Sequence, residues 1–176
     1  APVQSPLAAP AILDSEFTGV LFHEALGHKL EGQRQRDPQD SQIFKDMPGK
    51  RVIPEFLSVF DDPTLSSFKG KPLGGTYEYD SEGVAARRVV LVERGILRNF
   101  LMSRWPVKGF PSSNGHGRAD AYRHPTGRMS NLIVTGHDPV GKAALKEKLM
   151  SLARKAGKPY GFRLVGSVGG ENPTYR

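Results

Sequence analysis

The sequence predicts an α+β fold with a mostly antiparallel sheet, one helix near the N-terminus and a second helix near the C-terminus. Two β-rich runs flank the short turn Glu93-Arg94-Gly95, which is typical of a β-hairpin. Two other segments carry helix-start signals, and 20 Gly with 14 Pro indicate many turns in place of a helical bundle. A chain of 176 residues is long enough for one core, so we expect a single domain over residues 1–176.

The first helix is predicted to begin after Asp14 or Ser15, because either side chain can cap the free amides of a first helical turn. It is predicted to run to about Leu30 and to stop near Gly32. Three prolines make residues 1–13 an extended lead-in, since a proline disfavours helix at the residue before it.

The second helix is predicted to open at Asp138-Pro139 and to end at Gly157, with proline in a position that a first helical turn accepts. Leucines at 145, 149 and 152 recur at helical spacing and predict a face that packs on the core.

Short runs of β-branched and aromatic residues predict the strands. They fall at residues 56–60, 76–79, 88–92, 96–102, 132–135 and 162–168. Residues 33–51 and 103–130 lack periodicity and are predicted to be long loops; a loop as long as the second is usually functional when it is ordered.

Composition narrows the classes of function. The net charge is +7, and residues 101–176 hold 13 Lys or Arg against 4 Asp or Glu, but these cations are not interleaved with aromatic residues as in nucleic-acid-binding surfaces. No apolar run approaches the roughly 20 residues that span a bilayer. The chain has no cysteine, so a metal ion would need His, Asp or Glu as ligands within it. We expect a soluble, cytoplasmic protein and, because the sequence starts with Ala1, a piece of a longer one.

His23, Glu24 and His28 form the strongest chemical signal in the chain, since two imidazoles and a carboxylate are what a hydrolytic zinc site uses. Their spacing is unusual. On an ideal α-helix, residues i and i+5 point about 140° apart, so the two histidines need a distorted turn to share a metal. A π-like or broken turn at residues 25–28 is therefore predicted, helped by Gly27. The alternative is a pair of interfacial histidines on an amphipathic helix.

A longer match favours the metal site, because several blocks resemble those of the TldD/PmbA metallopeptidases in the same order. The first is Gly19-Val20-Leu21-Phe22-His23-Glu24-Ala25-Leu26-Gly27-His28-Lys29-Leu30-Glu31-Gly32, and the others are Phe60-Asp61-Asp62-Pro63, Asp80-Ser81-Glu82-Gly83, residues 90–97, Asn114-Gly115-His116-Gly117-Arg118 and Arg128-Met129-Ser130-Asn131. Together they cover about residues 17–170, which identifies the chain as similar to the catalytic, TldD-like members.

The resemblance implies that His23 and His28 bind Zn²⁺ and that Glu24 is the general base. It also implies a third ligand, a cysteine near the C-terminus, which this chain lacks. That ligand either lies in sequence beyond Arg176 or is replaced, and Glu31 is then the nearest candidate. His116, His124 and His137 are weaker candidates and more typical of loop or surface histidines.

The resemblance further implies a peptide substrate, and Arg118, Tyr122, Arg128 and Asn131 are predicted to line its cleft. Guanidinium groups there could orient a peptide carbonyl or carboxylate. Family members process leader peptides or degrade unfolded segments, often as a homodimer or with a related subunit. Two other functions stay open: a non-catalytic binding or assembly domain, and a nucleic-acid-associated regulator.

Overall fold

The computed structural model describes residues 8–166 and confirms the predicted α+β class with mostly antiparallel pairing. In chain order the elements are β1 Ala11–Leu13, α1 Ser15–Ala25, β2 Leu57–Asp61, β3 Ser67–Phe68, β4 Lys71–Pro72, β5 Val89–Glu93, β6 Ile96–Leu97, β7 Gly117–Arg118, β8 Thr126–Gly127, β9 Leu132–Gly136, α2 Lys142–Lys155 and β10 Phe162–Leu164. Neither helix in this part of the chain is long and apolar enough to cross a membrane. The described residues divide into two compact units, 8–21 with 138–166 and 22–137.

The unit of residues 8–21 and 138–166 contains β1, β10 and α2. Strands β1 and β10 pair in parallel, from Ala11 opposite Phe162 to Leu13 opposite Leu164. Of the two predicted caps, Asp14 is the one used: its Oδ1 accepts a hydrogen bond from the Phe17 amide at 2.8 Å. Its Oδ2 accepts another from the Gly166 amide at 2.7 Å, so one carboxylate joins the helix start to the end of the strand pair.

Helix α2 corrects two predictions. It begins at Lys142 after Gly141, and not directly after Asp138-Pro139, because Asp138 adopts a positive φ of 56° that no helix accepts. The leucine face is also not a buried stripe: Leu145 and Leu152 are exposed, and the buried residue of this helix is Ala153. The predicted end is confirmed, since Gly157 follows the last turn with the left-handed φ of 64° that favours glycine.

The unit of residues 22–137 is built on a four-stranded antiparallel sheet in the order β6-β5-β2-β9. The predicted strands at 56–60, 88–92 and 132–135 are confirmed within one or two residues. The predicted hairpin is also confirmed: Glu93 faces Ile96 across Arg94 and Gly95, whose φ values of 43° and 79° are both positive, as a type I′ turn requires. The second strand is shorter than predicted, because β6 ends at Leu97 and the chain turns into the core.

Other loop predictions are corrected in detail. Residues 76–79 form no strand, because their polar groups bond to neighbouring loops; the Tyr77 amide, for example, donates to the Pro63 carbonyl at 3.0 Å. The segments 33–51 and 103–130 are not structureless: a 3₁₀ turn begins the first, and the β7–β8 hairpin lies within the second. Strands of two residues are too short to leave an alternating pattern in a sequence. Residues 167 and 168 of the last predicted strand lie outside the described part.

A short backbone bridge joins the chain after α1 to the middle of this unit. The Leu101 amide donates to the Leu30 carbonyl at 2.8 Å, and the Gly32 amide donates to the Leu101 carbonyl at 2.9 Å. Leu30 and Leu101 are both fully buried. The position of residues 30–32 is therefore fixed by two backbone hydrogen bonds to the buried residue Leu101.

The cap at Asp14 gives a first prediction. Hydrogen bonds from the Phe17 and Gly166 amides lower the pKa of Asp14 below its usual value of 3.8. A lowered folded-state pKa means that the stabilisation is present above pH 3.8 and is lost as the pH falls through the folded-state pKa. Asp14→Ala should lower the melting temperature at pH 7, and its difference from the wild type should shrink in acid; Ser15→Ala, the matched control, should melt like the wild type.

Gly127 gives a second prediction. A Cβ atom at this position would overlap the Leu101 carbonyl oxygen, a backbone atom that cannot move aside easily. Gly127→Ala should therefore reduce the free energy of unfolding by about 1–3 kcal/mol, as measured by denaturant titration. Gly136→Ala is the control, since open space surrounds the corresponding Cβ position there. Equal stability of the two variants would contradict this account of Gly127.

Candidate metal centre

The helix that carries His23 and Glu24 breaks before His28. Helix α1 ends at Ala25, and a 3₁₀ turn over Gly27–Leu30 replaces the predicted continuous helix to Leu30. At the junction, Leu26 has φ −124° and ψ −52°, far from the α-helical φ of about −63°. The broken turn predicted from the five-residue spacing is therefore present, and it changes the direction in which His28 points.

The break brings three donor groups together. His23, Glu24 and His28 each offer a ligand atom, and all of these atoms lie within 4.8 Å of one another. Nε2 of His23 is 3.8 Å from Oε1 of Glu24, and Nε2 of His28 is 3.9 Å from Oε2 of the same carboxylate. The imidazole rings are edge to face, with centroids 4.6 Å apart. The side chain of His23 is half exposed, whereas those of Glu24 and His28 are mostly covered.

Packing beneath the site holds the break in place. Leu26 and Leu30, on either side of His28, are buried in the core of this unit. Between them, Gly27 lies directly against the sulfur of Met129, so that a Cβ atom there would collide with the methionine side chain. Glycine at position 27 thus permits this close approach, and a larger residue would require the Met129 side chain to shift.

Glu31 is the buried charge of the site, with a fully covered side chain. Its Oε1 accepts from Nδ1 of His28 at 3.1 Å and from Arg128 at 3.3 Å. Its Oε2 accepts hydrogen bonds from Nε of Arg34 at 2.9 Å and from the side-chain amide nitrogen of Gln33 at 3.2 Å. Burial on its own would raise the pKa of Glu31, but the hydrogen bonds from His28 and Arg34 and the charge of Arg128 outweigh it and lower the pKa. The carboxylate is therefore held ionised.

This arrangement decides which nitrogen of His28 faces the site. When Nδ1 carries the proton that is donated to Glu31, Nε2 is left with its lone pair on the side of His23 and Glu24. Ligating histidines in metalloproteins usually bond a carboxylate or carbonyl through their second nitrogen in this way. Glu31, the predicted substitute ligand, lies outside the group of three and contacts the opposite edge of the His28 ring.

The weaker histidine candidates have other partners. His116 is buried between Asp61 and the Asn114 carbonyl. Its Nε2 is 3.1 Å from Oδ1 of Asp61, and its Nδ1 is 3.1 Å from the carbonyl oxygen of Asn114. Nε2 of His137 is 2.9 Å from the Ser58 hydroxyl. His124 lines a cavity of 450 Å³ together with Trp105 and Arg36. None of the three belongs to the group around Glu24 in the described residues.

Of the four predicted substrate residues, two lie together and the other two lie apart from them and from each other. Arg118 and Arg128 line one cavity of 190 Å³, and Arg128 also contacts Glu31. Tyr122 is fully exposed on the loop between β7 and β8. Asn131 is buried: its amide nitrogen donates to the carbonyls of Asp62 and Leu65, and its oxygen accepts from the Gly75 amide. The two arginines face open space, whereas Asn131 ties loops together.

Arg34 was not predicted as part of the site, although it contacts both Glu31 and Asp40. Its place three residues after Glu31 is a sequence signal for an ion pair between the two, because residues so spaced meet on a helical turn. The signal was hidden by the loop prediction for residues 33–51. A sequence does not show which side chains are buried. It therefore could not reveal that Glu31 is a buried carboxylate that needs a cationic partner such as Arg34.

The donor set fits zinc, which histidine nitrogen and carboxylate oxygen commonly bind, and a helix-borne pair of histidines next to a carboxylate is typical of metal-dependent hydrolases. Residues 7–155 match the family model described as the PmbA/TldA metallopeptidase C-terminal domain. The chain therefore belongs to the TldD/PmbA family of metallopeptidases.

Relatives and solved structures agree with this placement. A metalloprotease of Archaeoglobus fulgidus is 35% identical over 93% of this chain and 34% of its own length. A zinc metalloprotease TldD homolog of Saccharolobus solfataricus is 32% identical over 94% of this chain and 34% of its own. The crystal structure of TldE from Thermococcus kodakarensis shares the fold, with a TM-score of 0.63, 20% identity, and coverage of 79% of this chain and 30% of that one. This chain thus spans about a third of the length of these proteins.

Glu31 gives the prediction for this site. Glu31→Gln keeps the shape of the side chain but removes the charge that faces Arg34, Arg128 and His28, so the free energy of unfolding should fall by about 1–3 kcal/mol. Glu55→Gln is the control, because it makes the same change in an exposed pair with Arg51 at 3.3 Å and should change stability by less than about 0.5 kcal/mol. Denaturant titration at low and high salt measures the free energy of unfolding of both variants. A Glu31 variant as stable as the Glu55 variant would contradict a structural role for the buried charge.

Proposed function

We propose that this chain supplies the catalytic centre of a zinc-dependent peptidase that hydrolyses flexible or unfolded peptides. The observation that carries the proposal is the convergence of His23, Glu24 and His28 within 4.8 Å in spite of their five-residue spacing. Family membership supports it, as does the name of the Saccharolobus relative, a zinc metalloprotease.

His23 and His28 would hold the zinc ion through their Nε2 atoms. Bound zinc polarises a carbonyl group and lowers the pKa of a water molecule to about 7. Glu24 lies beside both imidazoles, which supports a role as general base. Its carboxylate would accept a proton from the attacking water and pass it to the leaving amine nitrogen. Glu31 would orient His28 from behind through Nδ1.

The substrate and the partner are part of the same proposal. A peptide with little structure is the substrate that the resemblance to the TldD/PmbA metallopeptidases implies, and the half-exposed side chain of His23 leaves the site open to solvent. Processing of leader peptides and degradation of unfolded chains both fit this substrate class. We also propose assembly as a homodimer or with a related subunit. Light scattering of the full-length natural protein, alone and mixed with the related subunit, tests it, and monomeric masses in both samples would contradict it.

Glu24→Gln tests the general base. In the full-length natural protein this substitution should lower kcat for peptide cleavage by about 100-fold or more, because positioned acid–base catalysis contributes that much. Zinc content, measured by elemental analysis, should stay at the wild-type value. His28→Ala should lose both zinc and activity, and His137→Ala, which alters a histidine outside the site, should lose neither.

Unchanged cleavage by Glu24→Gln would contradict the assigned role of this residue. The alternative function, a non-catalytic binding or assembly domain, predicts a different pattern. In that case the wild-type protein would contain no zinc, and His28→Ala would behave like His137→Ala. Zinc stoichiometry of the wild-type protein therefore separates the two functions before any substrate is known.

A further inference from the structure

Two guanidinium groups face a cavity of 190 Å³ in the unit of residues 22–137. The cavity is lined by Arg118, Ala119, Asp120 and Arg128. Its charged side chains are thus two cations and one anion. Arg128 is paired with Glu31, so Arg118 is the cation of this cavity that has no ion pair among the described residues. Its planar hydrogen-bond donors suit an anionic group of matching shape.

Both arginines are held in place. The guanidinium carbon of Arg118 is 5.2 Å from the centre of the Tyr77 ring, and its Nη1 donates to the Met129 carbonyl at 3.4 Å. Tyr77 is itself fixed, because its hydroxyl donates to the Gly115 carbonyl at 2.9 Å. Arg128 is held by Glu31. Side chains fixed in this way lose little conformational freedom when a ligand binds.

Arg118 also lacks an internal counter-ion. Its contacts are a neutral ring and a neutral carbonyl, and among residues 8–166 it makes no ion pair. Asp120 lines the same cavity but forms no ion pair with Arg118 or with Arg128 in this part of the chain. The donors of Arg118 that face the cavity are therefore not already neutralised by the protein.

The cavity lies next to the candidate metal centre. Arg128 and Nδ1 of His28 contact the same oxygen of Glu31, at 3.3 and 3.1 Å. The arginine is thus two hydrogen-bond lengths from a proposed zinc ligand. A group bound at the cavity would belong to a substrate whose reacting bond lies close by.

We propose that Arg118 and Arg128 form a subsite for a carboxylate of the peptide substrate, and that this subsite makes the enzyme prefer acidic peptides. The proposal rests on the peptidase function proposed above. Two sources of the carboxylate share this chemistry: an acidic side chain and the C-terminus of a short peptide. A guanidinium fork recognises both through paired hydrogen bonds.

The test uses pairs of peptides that differ by one charge. In the first kind of pair, one peptide has Glu and the other has Gln at a single position near the scissile bond, and each such position is tested in turn. In the second kind, one peptide has a free C-terminus and the other an amidated one. Their binding to the Glu24→Gln form of the full-length natural protein is measured by fluorescence anisotropy, and their kcat/KM is measured with active protein. In one kind of pair, the acidic peptide should bind about tenfold more tightly and have a kcat/KM about tenfold higher than the neutral one, because one charge-assisted hydrogen bond contributes about that much.

Substitutions in the cavity should change this ratio in opposite directions. Arg118→Gln should bring the ratio of acidic to neutral peptide close to one, and Asp120→Asn should increase it by removing a competing negative charge. Arg123→Gln is the matched control, because Arg123 is an exposed arginine of the same loop that does not line the cavity. Melting temperatures equal to that of the wild type show that the variants fold.

The outcomes separate this proposal from the one on which it rests. A preference in the Glu/Gln pair identifies a side-chain subsite, and a preference in the acid/amide pair identifies a C-terminal one. Equal affinity and equal kcat/KM within both pairs would overturn the subsite while leaving the peptidase function intact. Wild-type protein that binds acidic peptides preferentially but cleaves none would contradict the peptidase function and support the subsite.

Discussion

The buried carboxylate of Glu31 is the interaction on which the rest of the site depends. It receives hydrogen bonds from His28, Gln33, Arg34 and Arg128, so residues from two distant parts of the chain meet on one side chain. An ionised group without solvent is stable only with such partners, which makes each contact conditional on the others. The orientation of His28, the position of Arg128 and the fold of the turn after α1 are thus linked through a single charge.

Glycine at two positions makes this linkage possible. Gly27 allows Met129 to pack against the turn that carries His28, and Gly32 allows the chain to approach Met102 while its amide bonds to Leu101. A Cβ atom at either position would overlap the sulfur of the facing methionine, so a larger residue would require that methionine side chain to shift. The geometry of the charged groups is therefore set by apolar packing below them.

Sequence patterns predicted the parts of this protein that depend on neighbouring residues. The hairpin around Arg94 and Gly95, the strands β2 and β9, and the break in the helix before His28 all have local causes, and all were predicted. The parts that depend on distant partners were not. Arg128 reaches Glu31 across 97 positions of sequence, and Leu145 is exposed although its spacing suits a core, because burial depends on what the chain brings opposite it.

The irregular φ of Leu26 has a consequence for how such centres are compared between proteins. His23 and His28 are one position further apart than the histidines of the common H-E-x-x-H motif. The chain bends at Leu26 between them, and their donor atoms and that of Glu24 still lie within 4.8 Å of one another. An alignment of this motif with H-E-x-x-H that allows no gap would match the first histidines but would place His28 one position away from the second histidine of the shorter motif. Comparing the positions of the donor atoms in space, with a one-position gap allowed inside the helix, avoids this mismatch.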